Sequence, residues 1–135
     1  MHQQTSNLAS STEWLAQISD THLYADASKK LGGVNTTESL QQVLTHIKSQ
    51  HPEIIATLAT GDLADDASPQ AYQRLANLLD QLGHPVYALP GNHDEPAMQQ
   101  EHLQSQHISN PSSVQLTHWQ IILLDSVIPG EPGGH

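Results

Sequence analysis

Short apolar runs alternate with amphipathic segments along this chain, and the alternation limits the folds that it can adopt. Segments 14–19, 53–60 and 85–90 are apolar and bounded by polar residues, which is typical of β-strands. Segments 35–50 and 70–83 repeat apolar side chains at helical spacing. The order strand, helix, strand, helix, strand predicts parallel pairing with right-handed crossovers, and therefore an α/β fold with a mostly parallel core.

The remaining segments are less regular. Segment 20–34 is rich in Asp, Ser and Gly and is predicted to be a loop without elements of its own. Segment 97–106 is predicted to be a more polar helix. Segment 113–127 is predicted to be a hairpin with its turn near 118–120 and its second arm, 121–125, buried.

Composition and charge limit the classes of function that this chain can have. The chain has 135 residues, enough for one domain with a core. Lys and Arg number 4 against 14 Asp and Glu, a formal charge of −10 that disfavours nucleic acid and anionic membranes as partners. Cysteine is absent, which excludes disulfides and thiolate metal sites. We predict a cytoplasmic protein with a disordered tail at 1–12 and one domain at 13–135, because no stretch resembles a membrane span or a signal peptide.

Acid, imidazole and amide side chains follow each predicted strand. Asp20 and His22 follow the first strand, Asp62 follows the second, and Asn92 with His93 follows the third. In an open α/β sheet, ligand groups collect outside the carboxyl ends of neighbouring parallel strands. The sequence therefore predicts that these side chains share one pocket.

This set of side chains suits divalent transition metals. Carboxylates and imidazoles bind Mn, Fe and Zn, whereas an all-oxygen set favours Mg or Ca. Alternation along an extended loop would direct Asp20 and His22 to the same side, toward one ion. The Asp62 carboxylate can bridge two ions, and Asn92 can offer only its amide oxygen, to the second ion. Two ions about 3.5–4 Å apart polarise a phosphoryl group and activate a water.

The motifs "DTH", "GD" and "GNHD", in this order and at strand ends, resemble those of the calcineurin-like metallophosphoesterase superfamily. Longer stretches, "LGGVNTTESL", "LPGNHDEPAM" and "WQIILLDS", are similar to those of the bacterial class III 3′,5′-cyclic AMP phosphodiesterases. The resemblance runs from about Trp14 to the end of the chain. It implies the N-terminal half of a four-layer α/β/β/α sandwich.

The resemblance implies a site with two divalent ions, most simply iron and manganese, with zinc or magnesium as alternatives. Asp20 and His22 would bind the first ion, Asp62 would bridge both, and Asn92 would bind the second. The family completes this site with histidines further along the chain, including a pair in a Gly-His-x-His loop. Because "GEPGGH" is not that loop, we expect the 135-residue chain by itself to be a weak catalyst.

The resemblance also implies a substrate and roles around it. The substrate would be a cyclic nucleotide, most simply 3′,5′-cyclic AMP hydrolysed to AMP. His22, Asn92 and His93 would contact the substrate, and His93 would protonate the leaving alkoxide. Asp94 would orient His93 through a hydrogen bond. Asp65, with its neighbour Asp66, is interpreted instead as part of a solvated acidic loop or as a helix cap.

Two other functions stay open at this point. The chain could belong to a non-catalytic scaffold with the same fold, although scaffolds usually lose the acid histidine and His93 is present. It could also belong to a nuclease of the superfamily, against which the charge of −10 and the lack of a basic groove count. A homodimer is a further expectation.

Overall fold

The computed structural model describes residues 12–128 and 130–133, and it is built around one parallel sheet. In chain order the elements are β1 (Trp14–Ile18), β2 (Lys30–Leu31), β3 (Val34–Asn35), α1 (Thr36–Gln50), β4 (Ile54–Thr60), α2 (Pro69–Leu79), a 3-10 turn (Asp80–Leu82), β5 (Val86–Leu89), α3 (Pro96–His102), β6 (Ile108–Ser109), β7 (Ser113–Gln115) and β8 (Gln120–Ile122).

The central sheet has the strand order β1-β4-β5-β6, and each neighbouring pair is parallel. This confirms the predicted α/β fold with a mostly parallel core. Because the order advances in one direction, right-handed crossovers place α1, α2 and α3 on the same face of the sheet. The four-layer sandwich stays a prediction, since the described residues form one helical layer, this sheet and two separate hairpins.

Local sequence signals set the helix boundaries. The side chain of Asn35 accepts a hydrogen bond from the Glu38 amide at 3.0 Å and so caps α1 as predicted. Ser68 caps α2 in the same way, and Gly83, at a φ of 70°, ends the 3-10 turn that follows it. Helix α3 is shorter than its predicted range of 97–106, because Leu103 leaves the helical conformation and is buried in the core.

One small hairpin and one short strand differ from expectation. The segment predicted as a plain loop contains the β2–β3 hairpin, which turns at Gly32 and Gly33 with φ values of 57° and 85°. Strand β6 was not predicted, because two residues inside a polar segment carry no periodicity. The predicted β7–β8 hairpin is confirmed.

The predicted burial of residues 121–125 is wrong in part. Leu123 is buried, but Ile122 and Leu124 are 65% and 76% exposed. Hairpin β7–β8 forms its own two-stranded sheet, so one of its faces has no covering layer among the described residues.

The core lies between the central sheet and helices α1 and α2. The side chains of Leu44 on α1, and of Tyr72, Leu75 and Leu79 on α2, are almost completely buried in one apolar cluster. The predicted tail at 1–12 falls almost wholly on residues 1–11, which lie outside the described residues, and the domain bounds 13–135 stay a prediction. Within the described part of the chain, none of the helices has the length and apolar character needed to span a membrane.

Leu44→Ala is expected to lower the free energy of unfolding by about 2–5 kcal/mol, because it leaves a cavity in the core. Its neighbour Val43 is 43% exposed, so Val43→Ala is the matched control and should cost well under half as much. Urea unfolding of both variants checks this. Equal losses would mean that α1 does not bury the face that carries Leu44.

Candidate metal centre

Backbone hydrogen bonds beyond the strand ends bring the three predicted loops together. The amide of Asp20 donates to the Gly61 carbonyl at 2.9 Å, and the amide of His22 donates to the Asp62 carbonyl at 2.9 Å. The amide of Gly61 donates in turn to the Leu89 carbonyl at 2.9 Å. The loops therefore continue the parallel pairing of β1, β4 and β5, and the site residues meet at one edge of the sheet.

The backbone is strained at three of the predicted ligands. Asp20, His22 and Asp62 have φ values of 57°, 45° and 50°, and Ala67 is the one other non-glycine residue with positive φ in the described part of the chain. Such conformations cost about 1–3 kcal/mol each and concentrate at functional sites. The loop after β1 is therefore not extended as expected, and Asp20 and His22 reach the same place through left-handed turns instead.

The imidazole of His22 lies at the centre of the cluster. Its Nε2 is 3.6 Å from Oδ1 of Asp20 and 3.9 Å from Oδ2 of Asp62, while its Nδ1 is 3.0 Å from Oδ1 of Asp65. An Nδ1–H donated to Asp65 leaves the Nε2 lone pair facing the other two carboxylates. Three electron-pair donors that converge in this way repel one another unless a cation lies between them.

Asn92 lies beside Asp62. With the amide nitrogen turned toward Asp62, the NH2 group donates to both carboxylate oxygens, each at 3.2 Å. This contact places Asn92 next to the predicted bridging carboxylate. With the amide turned the other way, its oxygen could share a cation with that carboxylate.

His93 lies beside this cluster rather than within it. Its ring centroid is 5.1 Å from that of His22, the two rings are nearly perpendicular, and 45% of its side chain is exposed. Its backbone amide donates to Oδ1 of Asp62 at 2.9 Å, which fixes the loop against the predicted bridging carboxylate. The ring can therefore reach a ligand bound at the cluster.

The predicted hydrogen bond between Asp94 and His93 is not present; Asp94 is buried and bonded elsewhere. Its carboxylate accepts from the backbone amides of Leu63, Ala64 and Gly91, at 3.0, 2.9 and 2.7 Å, and from the Tyr72 hydroxyl, at 2.7 Å. Burial and this carboxylate raise the pKa of the Tyr72 phenol, which keeps its proton on the bond. Asp94 supports the site by joining the loop of Asp62 to the loop of Asn92.

Asp65 is the site residue that the sequence interpretation missed. Its side chain is only 20% exposed, and its Oδ1 lies 3.0 Å from Nδ1 of His22 and 3.4 Å from Nδ1 of His93. Asp66 does behave as a loop and cap residue: burial raises its pKa, but hydrogen bonds from Ala25 and Ser68 outweigh burial and lower it. The one available signal for Asp65 was its position three residues after Asp62 in "GDLADD".

Among the described residues, two groups of side chains could hold a cation. Asp20, His22 and Asp62 form one, and His22, Asp65 and His93 form the other, each with its ligand atoms within 4.8 Å of one another. In the second group Oδ1 of Asp65 is already occupied by Nδ1 of His22, so its shortest contact is an ordinary hydrogen bond. The first group has no such internal bond and is the better candidate metal site.

Comparison with known proteins shows which family the chain resembles. The family model for calcineurin-like phosphoesterases matches residues 14–131. A 3′,5′-cyclic adenosine monophosphate phosphodiesterase CpdA of Vibrio vulnificus is 40% identical over 134 residues, which are 98% of this chain and 49% of that protein.

Two other relatives give similar figures. The CpdA phosphodiesterase of Escherichia coli is 46% identical over 122 residues, 89% of this chain and 44% of that protein. A 3′,5′-cyclic-nucleotide phosphodiesterase of a Nostoc species is 40% identical over 114 residues, 84% of this chain and 43% of that protein. The chain therefore spans about half the length of the curated relatives that it matches.

Gly91→Ala is expected to disrupt the site, because a Cβ at this position would overlap the backbone nitrogen and the carboxylate of Asp62. We expect metal affinity to fall by at least about tenfold, the scale seen when groups that orient ligands are lost. Gly133→Ala is the control, since a Cβ there meets nothing within 4 Å. Calorimetric titration with Mn²⁺ measures both variants, and unchanged affinity in Gly91→Ala would contradict this close approach.

Proposed function

This chain belongs to the calcineurin-like phosphoesterase family, and we propose that it acts in a metal-dependent phosphodiesterase that hydrolyses 3′,5′-cyclic AMP. One observation carries the proposal: electron-pair donors of Asp20, His22 and Asp62 converge within 4.8 Å of one another at the edge of the sheet. The names of the three relatives, all cyclic nucleotide phosphodiesterases, support the choice of a cyclic nucleotide.

Asp20 and His22 would hold one divalent ion, Asn92 would hold a second, and Asp62 would contribute to both. The mixture of carboxylate, imidazole and amide ligands favours iron or manganese over magnesium. When bound, such ions neutralise charge on a phosphoryl group and make a water molecule more acidic.

His93 would act as the general acid. Its Nδ1 faces Asp65 at 3.4 Å, so a proton held there leaves the Nε2 edge of the ring for the substrate. A protonated Nε2 would donate its proton to the ribose oxygen that leaves phosphorus when the cyclic diester opens. Asp65 would keep both neighbouring imidazoles in the required orientation, because it lies against Nδ1 of His22 as well.

The alternative functions are less well supported. A nuclease would need cations along the path of a nucleic acid strand, and the chain has 4 Lys and Arg against 14 Asp and Glu. A non-catalytic scaffold has no need for backbone strain at three ligand positions, which costs free energy.

Asp62→Ala in the whole protein is expected to reduce bound metal from two ions to fewer than one, because the bridging ligand serves both ions. Elemental analysis after dialysis measures the metal content. Glu101→Ala, which removes a 70% exposed carboxylate outside the site, is the control and should leave both ions bound. Two ions retained by Asp62→Ala would refute the bridging role.

His93→Ala in the whole protein is expected to lower kcat for cyclic AMP by roughly 10²–10⁴, the usual contribution of a general acid, with metal content unchanged. Asp65→Asn should lower kcat less, because the role of Asp65 is only to orient the His93 ring. His118→Ala is the control, since that side chain is exposed and outside the site. Loss of metal in His93→Ala would instead identify His93 as a ligand.

A further inference from the structure

We propose that a cavity between the β2–β3 hairpin and α1 binds the nucleobase of the substrate, with Leu31, Val34 and Val43 as the residues that contact it. This inference rests on the proposed function and adds to it a specificity pocket. The cavity has a volume of about 410 Å³, within the range of small-molecule sites.

The cavity is continuous with the candidate metal centre. Asp20, Thr21 and His22 are among the residues that line it. Leu31 and Val34 of the hairpin, and Val43 of α1, line it as well. A phosphate held at Asp20 and His22 would therefore have the rest of its molecule beside an apolar wall.

The hairpin is built to present that wall. Leu31 and Val34 are direct cross-strand partners, so their side chains lie on one face of the hairpin, and the glycine turn between them is tight. Asn35, next along the chain, caps α1 and so joins the hairpin to the helix that carries Val43. The guanidinium of Arg74 also donates to the Tyr24 carbonyl, which holds the preceding loop in place.

The wall is apolar but left open to solvent. Leu31, Val34 and Val43 are 42%, 53% and 43% exposed. Single exposed apolar residues are common on protein surfaces, but three that line one cavity beside a candidate catalytic site indicate a ligand with an apolar face. The flat face of a purine would cover all three.

The charged residues that line the cavity indicate which phosphodiesters it can accept. The described residues around the cavity include no Lys or Arg, and Asp20 is the one carboxylate there. A second phosphate, as in a dinucleotide, a nucleoside triphosphate or a nucleic acid strand, would find no Lys or Arg partner in this lining. A neutral base with polar edges fits better, because hydroxyl groups of Ser19 and Ser39 also line the cavity.

The test compares two substrates in the whole protein: cyclic AMP, and ribose 3′,5′-cyclic phosphate, which has the same cyclic diester without the base. The double variant Leu31→Ser/Val34→Ser should raise KM for cyclic AMP by roughly 3- to 30-fold, as expected from lost apolar contact, with kcat unchanged. KM for the base-free diester should not change. Ile122→Ser, which alters another exposed strand residue, is the control and should leave both substrates unaffected.

Each other outcome is decisive. If the wild-type protein hydrolyses cyclic AMP and the double variant behaves like Ile122→Ser, the nucleobase pocket is refuted while the proposed function stands. If KM rises equally for both substrates, the hairpin supports the metal centre and does not contact the base, which also refutes the inference. If the wild-type protein hydrolyses neither diester, the proposed function fails, and the inference fails with it.

Discussion

The buried carboxylate of Asp94 is the contact on which the site depends. It accepts hydrogen bonds from the amides of Leu63 and Ala64 after β4, from the amide of Gly91 after β5, and from the Tyr72 hydroxyl on α2. A buried charge is tolerated only when its hydrogen-bonding capacity is satisfied, and here four donors from three separate segments satisfy it. One side chain therefore joins the loops that carry Asp62 and Asn92 and fastens both to the hydrophobic core.

The rest of the fold supplies the rigidity that strained ligand loops require. Positive φ at Asp20, His22 and Asp62 persists because amides of the first loop donate to carbonyls of the second, and the second is bonded to the end of β5. The glycine at the start of the third loop has no Cβ, which allows the backbone to approach the Asp62 carboxylate closely. Packing of α1 and α2 on one face of the parallel sheet holds the strands in place, and thereby the strained loops at their ends.

The sequence predicted the parts of this protein that depend on periodicity and on chain order. The alternation of apolar and amphipathic segments predicted the parallel sheet. The positions of Asp20, His22 and Asp62 just after strands predicted that they would cluster, because parallel strands bring their carboxyl ends together. No periodic pattern in the sequence indicates which way the side chain of a loop carboxylate points. Asp94 was assigned to His93 because the two are adjacent in sequence, yet its side chain turns into the protein toward donors about 20 to 30 residues away. The two-residue strands of the β2–β3 hairpin are likewise too short to show a period.

The central claim is that a cation belongs between Asp20, His22 and Asp62, and its most direct test is diffraction from crystals of the whole protein soaked in Mn²⁺. We expect an anomalous difference peak beside Nε2 of His22, within coordinating distance of the Asp20 and Asp62 carboxylates. A peak lying instead between His22, Asp65 and His93, or Mn²⁺ bound elsewhere with no peak beside Nε2 of His22, would contradict it.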